Sequence, residues 1–363
     1  MVWLDSSDNP YKRLVVPLAR QHHILGDAIS HVSFLHEARQ RVITGNTIET
    51  STQSMIKKLA AEIGKMTNLD GFASTYSEAE SSNLVSILAS ILVLSNSSLM
   101  ESHIFVAQMH RHAARTIVRA FPAQATSQDE LFKFLKEQLA IYDILASTTT
   151  FTPKDVRDAI TFDEDGSHAV FGQYLNLIHR ITVQAVERDT NGTQAKLILY
   201  AALVDELELA RASTLLVFQS WSRSFSKPEC SNFIRLVDAH HHAGILYANS
   251  RLKMGIEKDV KRYHVSRLYQ ILELLEGVEA HLQNLPWVLF IAGICSYDQS
   301  RWDTVMRICS KLCDHIGFGH FTQLQRFLVE LADKQDNRLV EELDWMPLAK
   351  EWEKNGVPLV LIT

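Results

Sequence analysis

The 363-residue sequence predicts an all-α protein, an irregular bundle of more than a dozen helices with no substantial sheet. Three observations carry that prediction. Apolar residues recur three and four apart along almost the whole chain, no stretch sustains the alternation of period two that a half-buried strand needs, and helix-start signals stand ahead of several apolar stripes. No heptad array, fixed-period repeat or low-complexity tract is visible, which disfavours a solenoid.

The stretch that organises the rest is Leu285 to Trp302, LPWVLFIAGICSYDQSRW. Trp287 to Cys295 is an almost unbroken apolar run behind Pro286, whose missing N–H is harmless in a first helical turn, so it reads as a fully buried helix. Ala292 and Gly293 leave one side without bulk, where a neighbouring backbone is expected to come close. Asp298 reads as the N-cap of a following helix carrying Arg301 and Trp302 in its first turn.

From the start, Asn9-Pro10 opens a helix that Pro17 kinks or breaks, and Ile24, Ala28, Ile29, Val32, Leu35 and His36 form one face of a second. Met55, Leu59, Ile63 and Met66 continue the style over 48–66. Ser77 with Glu80 has the form of a capping box before Leu84, Ile87, Leu88, Ile91 and Leu92, which should make a central helix. Ser98 to Phe121 reads as one helix with a partly exposed polar face of His103, His110, Arg111, His112, Arg115 and Arg119. A second capping box, Ser127 with Glu130, leads into Leu131 to Leu145. Residues 163–167, DEDGS, are the expected hinge or insertion point in what otherwise reads as one domain spanning 1–363. Helical patterns follow over 170–187 and 195–221, then a loop at 224–231 with Pro228, then 233–254, 265–285, 321–331 and 345–352. The apolar tail VPLVLIT is expected to be docked.

Composition is that of an ordinary globular protein, 46% hydrophobic and 21% charged. A net charge of −6 argues against a surface that grips nucleic acid directly, since phosphate binding relies on clustered Lys and Arg. Few cysteines in helical, apolar contexts suit a reducing compartment. No signal-peptide pattern opens the chain, and Leu84 to Leu94 is too short to span a bilayer, so no membrane role is expected.

Chemistry-bearing motifs are sparse. No P-loop, dinucleotide fingerprint, G-x-S-x-G elbow or H-E-x-x-H pair occurs, so no catalytic residue and no cofactor is assigned. His240-His241-His242 cannot converge on one ion, because adjacent helical residues point ~100° apart. Cys309, Cys313, His315 and His320 have a spacing that sulfur and imidazole ligands of zinc would tolerate, although buried cysteines on an apolar face satisfy the same pattern. Asp143, Asp205, Glu206 and Glu208 would serve acid–base chemistry only with a raised pKa. Trp287, Phe290, Trp302, Phe318 and Phe321 read as core.

Asn9-Pro10-Tyr11 with Leu18-Ala19, Phe134 with Tyr142 to Ser147, Leu285 to Gly293 with Arg301, Gly317-Phe318-Gly319 and the close at Asp344-Trp345 carry a resemblance. The order resembles the fungal-specific transcription factor domain of zinc-cluster regulators, in its second, sterol-regulator-like branch, over essentially the whole chain. Pro286, Trp287, Phe290, Gly293 and Arg301 are its structural signature. Two departures accompany it. The chain has four cysteines and none before Cys230, so it cannot make the six-cysteine zinc cluster with which such regulators bind DNA, and Ile294-Cys295-Ser296 stand where the family usually carries an acid. The resemblance implies a nuclear, or shared nuclear and cytoplasmic, regulator of a fungal (secondary) metabolic gene set. It would bind an apolar effector or partner proteins, act through a DNA-bound regulator or co-regulator, and allow a homodimer. The alternative is a biosynthetic enzyme of cyclase or isomerase type that reuses a helical pocket.

Overall fold

A computed structural model describes residues 9–41, 45–67, 78–120, 130–163, 170–191, 200–221, 225–275, 277, 279–296, 298–316, 319–334 and 343–361. Among them every regular element is a helix and no strand occurs. Outside the described residues lie Ser77, Ser127, 164–167 of the expected hinge, 195–199 and Gly317-Phe318, and so do the side chains of Met66 and His315. Contacts divide the chain at Leu139/Ala140 into two compact units.

In the N-terminal unit, Asn9 Oδ1 accepts from Tyr11 N (3.0 Å), and the π-helical turn Tyr11–Val15 follows. Pro17 then sits in the first turn of α1 (Val16–Gln21), where its ring fits, so the expected break is a junction between two helical forms. His22 is extended and ends α1 before α2 (His23–Arg41) and α3 (Gly45–Thr67). The buried face of α2 is Ile24, Leu25, Ala28, His31, Leu35 and Ala38, a stripe spaced three and four apart, whereas His36 lies about 100° round the helix from Leu35 and is exposed. α4 (Glu78–Met100) is the centre, with Leu84, Ile87, Leu88, Ile91 and Leu92 all buried. Over Glu80–Met100 it is long and apolar enough to cross a membrane, contrary to the shorter estimate from Leu84 to Leu94, and most of it is buried in the protein.

The expected helix 98–121 is two elements. Ser98 belongs to the last turn of α4, its Oγ donating to Leu94 O (3.0 Å), and Ser102 at φ 61° breaks the chain before α5 (Ile104–Ala120). Its polar face is also divided: His112 and Arg119 are exposed while Arg111 and Arg115 are buried. α6 (Glu130–Ser147) carries Phe134, whose ring meets Tyr11 edge-on at 5.0 Å.

In the C-terminal unit, α7 (Pro153–Arg157), α8 (Gly172–Asn191) and α9 (Tyr200–Trp221) lead to α10 (Lys227–Leu252), the longest helix among the described residues. Residues 227–231 are helical, not loop: Ser226 caps Glu229 N, Glu229 returns to Ser226 N (2.7 Å), and Pro228 occupies the first turn where it stabilises the start. α11 (Lys258–Leu275) begins earlier and ends sooner than the expected 265–285 helix, and the short α12 (Glu279–Leu282) stands apart. α13 (Pro286–Ile294) is buried at every residue and touches α10, α11, α14 (Gln299–Ile316) and α15 (Gly319–Lys334). After α16 (Met346–Lys354), Leu359, Val360 and Leu361 are buried and Leu359 O accepts from Thr149 Oγ1 (2.6 Å), so the tail is docked.

Candidate functional site

α13 sets the frame. Its first backbone bond runs from Leu289 N to Leu285 O (2.7 Å), so Pro286 removes no partner. Trp287 stacks parallel to the His240 ring (6.1 Å) and edge-on to Tyr247 (5.6 Å), and Phe290 meets Trp345 edge-on (5.1 Å). Gly293 does admit a close neighbour, but it is the Leu328 side chain and not a backbone: a Cβ there would lie 2.8 Å from both Leu328 methyls. Leucine methyls fill the notch because α15 presents its apolar stripe to α13. Asp298 caps α14 as expected, Oδ1 accepting from Arg301 N (2.9 Å). Arg301 then reaches Asp298 (3.3 Å) and Ser266 (3.1 Å) and lies over the Tyr269 ring at 5.3 Å, which clamps α14 to α11. Pro286, Trp287, Phe290 and Gly293 are thus buried within α13, and Arg301 holds α14 to α11.

The three histidines of α10 diverge. His240 is buried against Phe171 and Trp287 and is held down to about 4 by burial, which outweighs the Leu236 carbonyl that accepts from its Nδ1. His241 faces Glu208 (3.2 Å). His242 and His264 share one hydrogen bond between their Nδ1 atoms (2.9 Å), so one ring donates and the other accepts, and burial lowers them to about 3 and about 4.

Cys309 is buried and its thiol is pushed up by that burial, while Cys313 is partly exposed 3.7 Å from the Thr322 hydroxyl. His320 is buried with its ring 4.2 Å from Phe321. Among the described residues no three His, Cys, Asp or Glu side chains assemble as a metal site. Asp143 is fully buried and accepts from Ile160 N (2.8 Å), which ties α6 to the segment after α7. Glu206 pairs with Arg180, and Glu208 lies 3.8 Å from Arg211.

A concavity that sequence reasoning missed opens where α10 turns into α11. It measures about 480 Å3. Asn249 and Ser250 from the last turns of α10 line it, together with Lys253, Lys258, Lys261 and Asp344. Ile256, Leu343 and Met346 supply apolar wall. The turn is shaped by two left-handed residues, Lys253 (φ 47°) and Gly255 (φ 65°), and by Asn249 Oδ1 accepting from Ile256 N (3.3 Å). Gly255 was the one visible sign of it in the sequence. Behind it, Ser250 Oγ accepts from Trp345 Nε1 (3.0 Å), and the buried Arg251 guanidinium lies 4.2 Å over Phe151 while donating to Thr150 O (3.0 Å).

Neither the curated proteins nor the solved structures give a match to this chain. The family described as "Fungal specific transcription factor domain" matches residues 1–358, a span that takes in α13 and its signature residues. An all-helical architecture and a match over nearly the full length establish that the chain belongs to the fungal-specific transcription factor domain family, whose work is the regulation of transcription.

Proposed function

We propose that this chain is the regulatory part of a pathway-specific control system for a fungal, secondary-metabolic gene set, acting in the nucleus. It receives an effector or partner protein and contacts DNA through a bound regulator or co-regulator. The family match over residues 1–358 carries the reading. Charge supports the indirect route to DNA: the chain is net −6, its four cysteines are too few for a six-cysteine zinc cluster, and all four are free thiols. A helical body with two compact units suits an effector-responsive domain, and the apolar-effector expectation belongs to this reading.

Deletion of the gene followed by transcript profiling tests it. A coordinated fall in one gene set is the expected result. Level transcripts with accumulation of a single intermediate would replace the regulator with an enzyme, and conversion of that intermediate by the purified protein would establish it.

A further inference from the structure

Arg251 stands in the last turn of α10 and is only 1% exposed, so its charge lies inside the C-terminal unit. A guanidinium does not give up its proton in a protein, so burial leaves it charged, and every polar group it carries is a donor. Nη2 donates to Thr150 O (3.0 Å), whereas Nε and Nη1 are buried with no hydrogen-bond partner in the protein. The Tyr247 phenol stands against the guanidinium but donates its own hydrogen to Thr148 O (3.2 Å). Burial raises the pKa of that phenol against the pull of Arg251, so it stays neutral and supplies no counter-charge.

The groups that could offset the charge are engaged elsewhere. Among the described residues no carboxylate forms an ion pair with Arg251. Glu353, on the far side of Phe151, accepts from Phe151 N (3.1 Å), Thr152 N (3.4 Å) and Thr152 Oγ1 (3.1 Å). The carbonyl end of α10 carries partial negative charge, but a second guanidinium caps it: Arg188 donates to Leu252 O and to Arg251 O (3.5 Å). The guanidinium carbon of Arg251 lies 4.2 Å from the centre of the Phe151 ring and 5.7 Å from that of Trp345, contacts that soften the charge and offer no lone pair to Nε or Nη1. Phe151 is shared with another cation, Lys350 Nζ, at 5.0 Å. A buried cation with unmet donors is strongly unfavourable unless an anion joins it.

We infer that Arg251 holds a small inorganic anion of chloride size, received by Nε–H and Nη1–H beside Phe151 and Trp345. Its size follows from the packing: both nitrogens are closed off from solvent, and a close-packed interior has room for an ion little larger than a water molecule and not for a metabolite. Such an ion enters when the interior opens locally and is then held as a counter-ion, which makes the stability of the C-terminal unit depend on chloride. The site is independent of the regulatory role proposed above.

Urea unfolding of the full chain, followed by tryptophan fluorescence in sodium chloride and in sodium gluconate at equal ionic strength, tests the site. Gluconate is too large to enter. Chloride bound with a Kd of about 10 mM raises the folding equilibrium constant about tenfold at about 100 mM chloride, and that is the expected difference between the two salts. Arg251→Met keeps bulk and apolar contact while removing the charge, so its folding constant should agree between the salts to within about twofold. An equal response of wild type and Arg251→Met means an adventitious ion only and overturns the site. No chloride effect in the wild type also overturns it and leaves Nε and Nη1 to water. Crystals of the wild-type protein soaked in bromide give a readout that does not need the variant to fold: an anomalous peak within hydrogen-bonding reach of Nε and Nη1 supports the site, and its absence there overturns it.

Discussion

Replacing Gly293 by alanine sets two effects of opposite sign against each other. Alanine in a helix interior is favoured over glycine by roughly 0.5–1 kcal/mol, so on propensity alone the change stabilises. Against this, the new Cβ would lie 2.8 Å from both Leu328 methyls and 3.3 Å from Leu328 Cγ. Leu328 has no exposed surface into which to swing, and α13 is enclosed by helices, so relief must come from off-rotamer side chains or a shift of α15. Overpacking of this kind costs about 1–3 kcal/mol, and the net expectation is a loss of about 1–2 kcal/mol, or roughly 2–8 °C in Tm for a unit of this size. Urea unfolding followed by tryptophan fluorescence measures it, because Trp287 and Trp345 are buried around α13. The decisive measurement is the same substitution in a Leu328→Ala background. With the methyls gone the clash disappears, and Gly293→Ala should then stabilise by roughly 0.5–1 kcal/mol, a reversal of sign. An equal penalty in both backgrounds, or a gain in the wild-type background, refutes close packing of Leu328 as the reason for glycine.

Three further outcomes follow from the C-terminal unit. Gly244→Ala would place a Cβ against the buried Tyr174 hydroxyl, which donates to His240 O, so it should lower the urea midpoint; Tyr174→Phe, at about 1 kcal/mol by itself, should relieve part of that loss in the double variant. Asn284 is fully buried and neither amide atom has a hydrogen-bond partner in the protein, so Asn284→Leu should be neutral or stabilising by about 1–2 kcal/mol, and a loss above about 1 kcal/mol in calorimetry would mean that water satisfies the amide. His240 has its pKa lowered by burial to about 4 from 6.5, and His242 and His264 move the same way. The unfolded chain therefore binds more protons between those values, so stability present above pH 6.5 is lost as pH falls toward 4, by about 3 kcal/mol from His240 alone. Unfolding midpoints measured at neutral pH and near pH 5 should separate accordingly, and a pH-independent midpoint contradicts the burial.

Periodicity exposed the helices because it reports burial directly: Leu84 to Leu92 and Trp287 to Cys295 are buried as their patterns require. Where expectations failed, a local backbone feature overrode the pattern. Ser102 takes a left-handed conformation that splits α4 from α5 without glycine or proline to mark it, and Ser226-Lys227-Pro228-Glu229 reads as loop by composition yet is a capping box with proline in its favoured place. Asp298 was legible because an N-cap needs only one residue and its near neighbours. Burial of Arg111 and Arg115 was not, since both fall on a face that charge alone assigns to solvent.

The cleft was hidden for a different reason. Asn249 and Ser250 are ordinary polar residues near the end of a helix, and nothing in their identity says what their side chains will meet. That depends on two donors distant in the chain or in the turn: Trp345 Nε1, 95 residues on, and Ile256 N, placed by the left-handed Lys253. Lys253 adopts αL where glycine is the usual residue, so the turn that creates the cleft carries no strong local signal beyond Gly255.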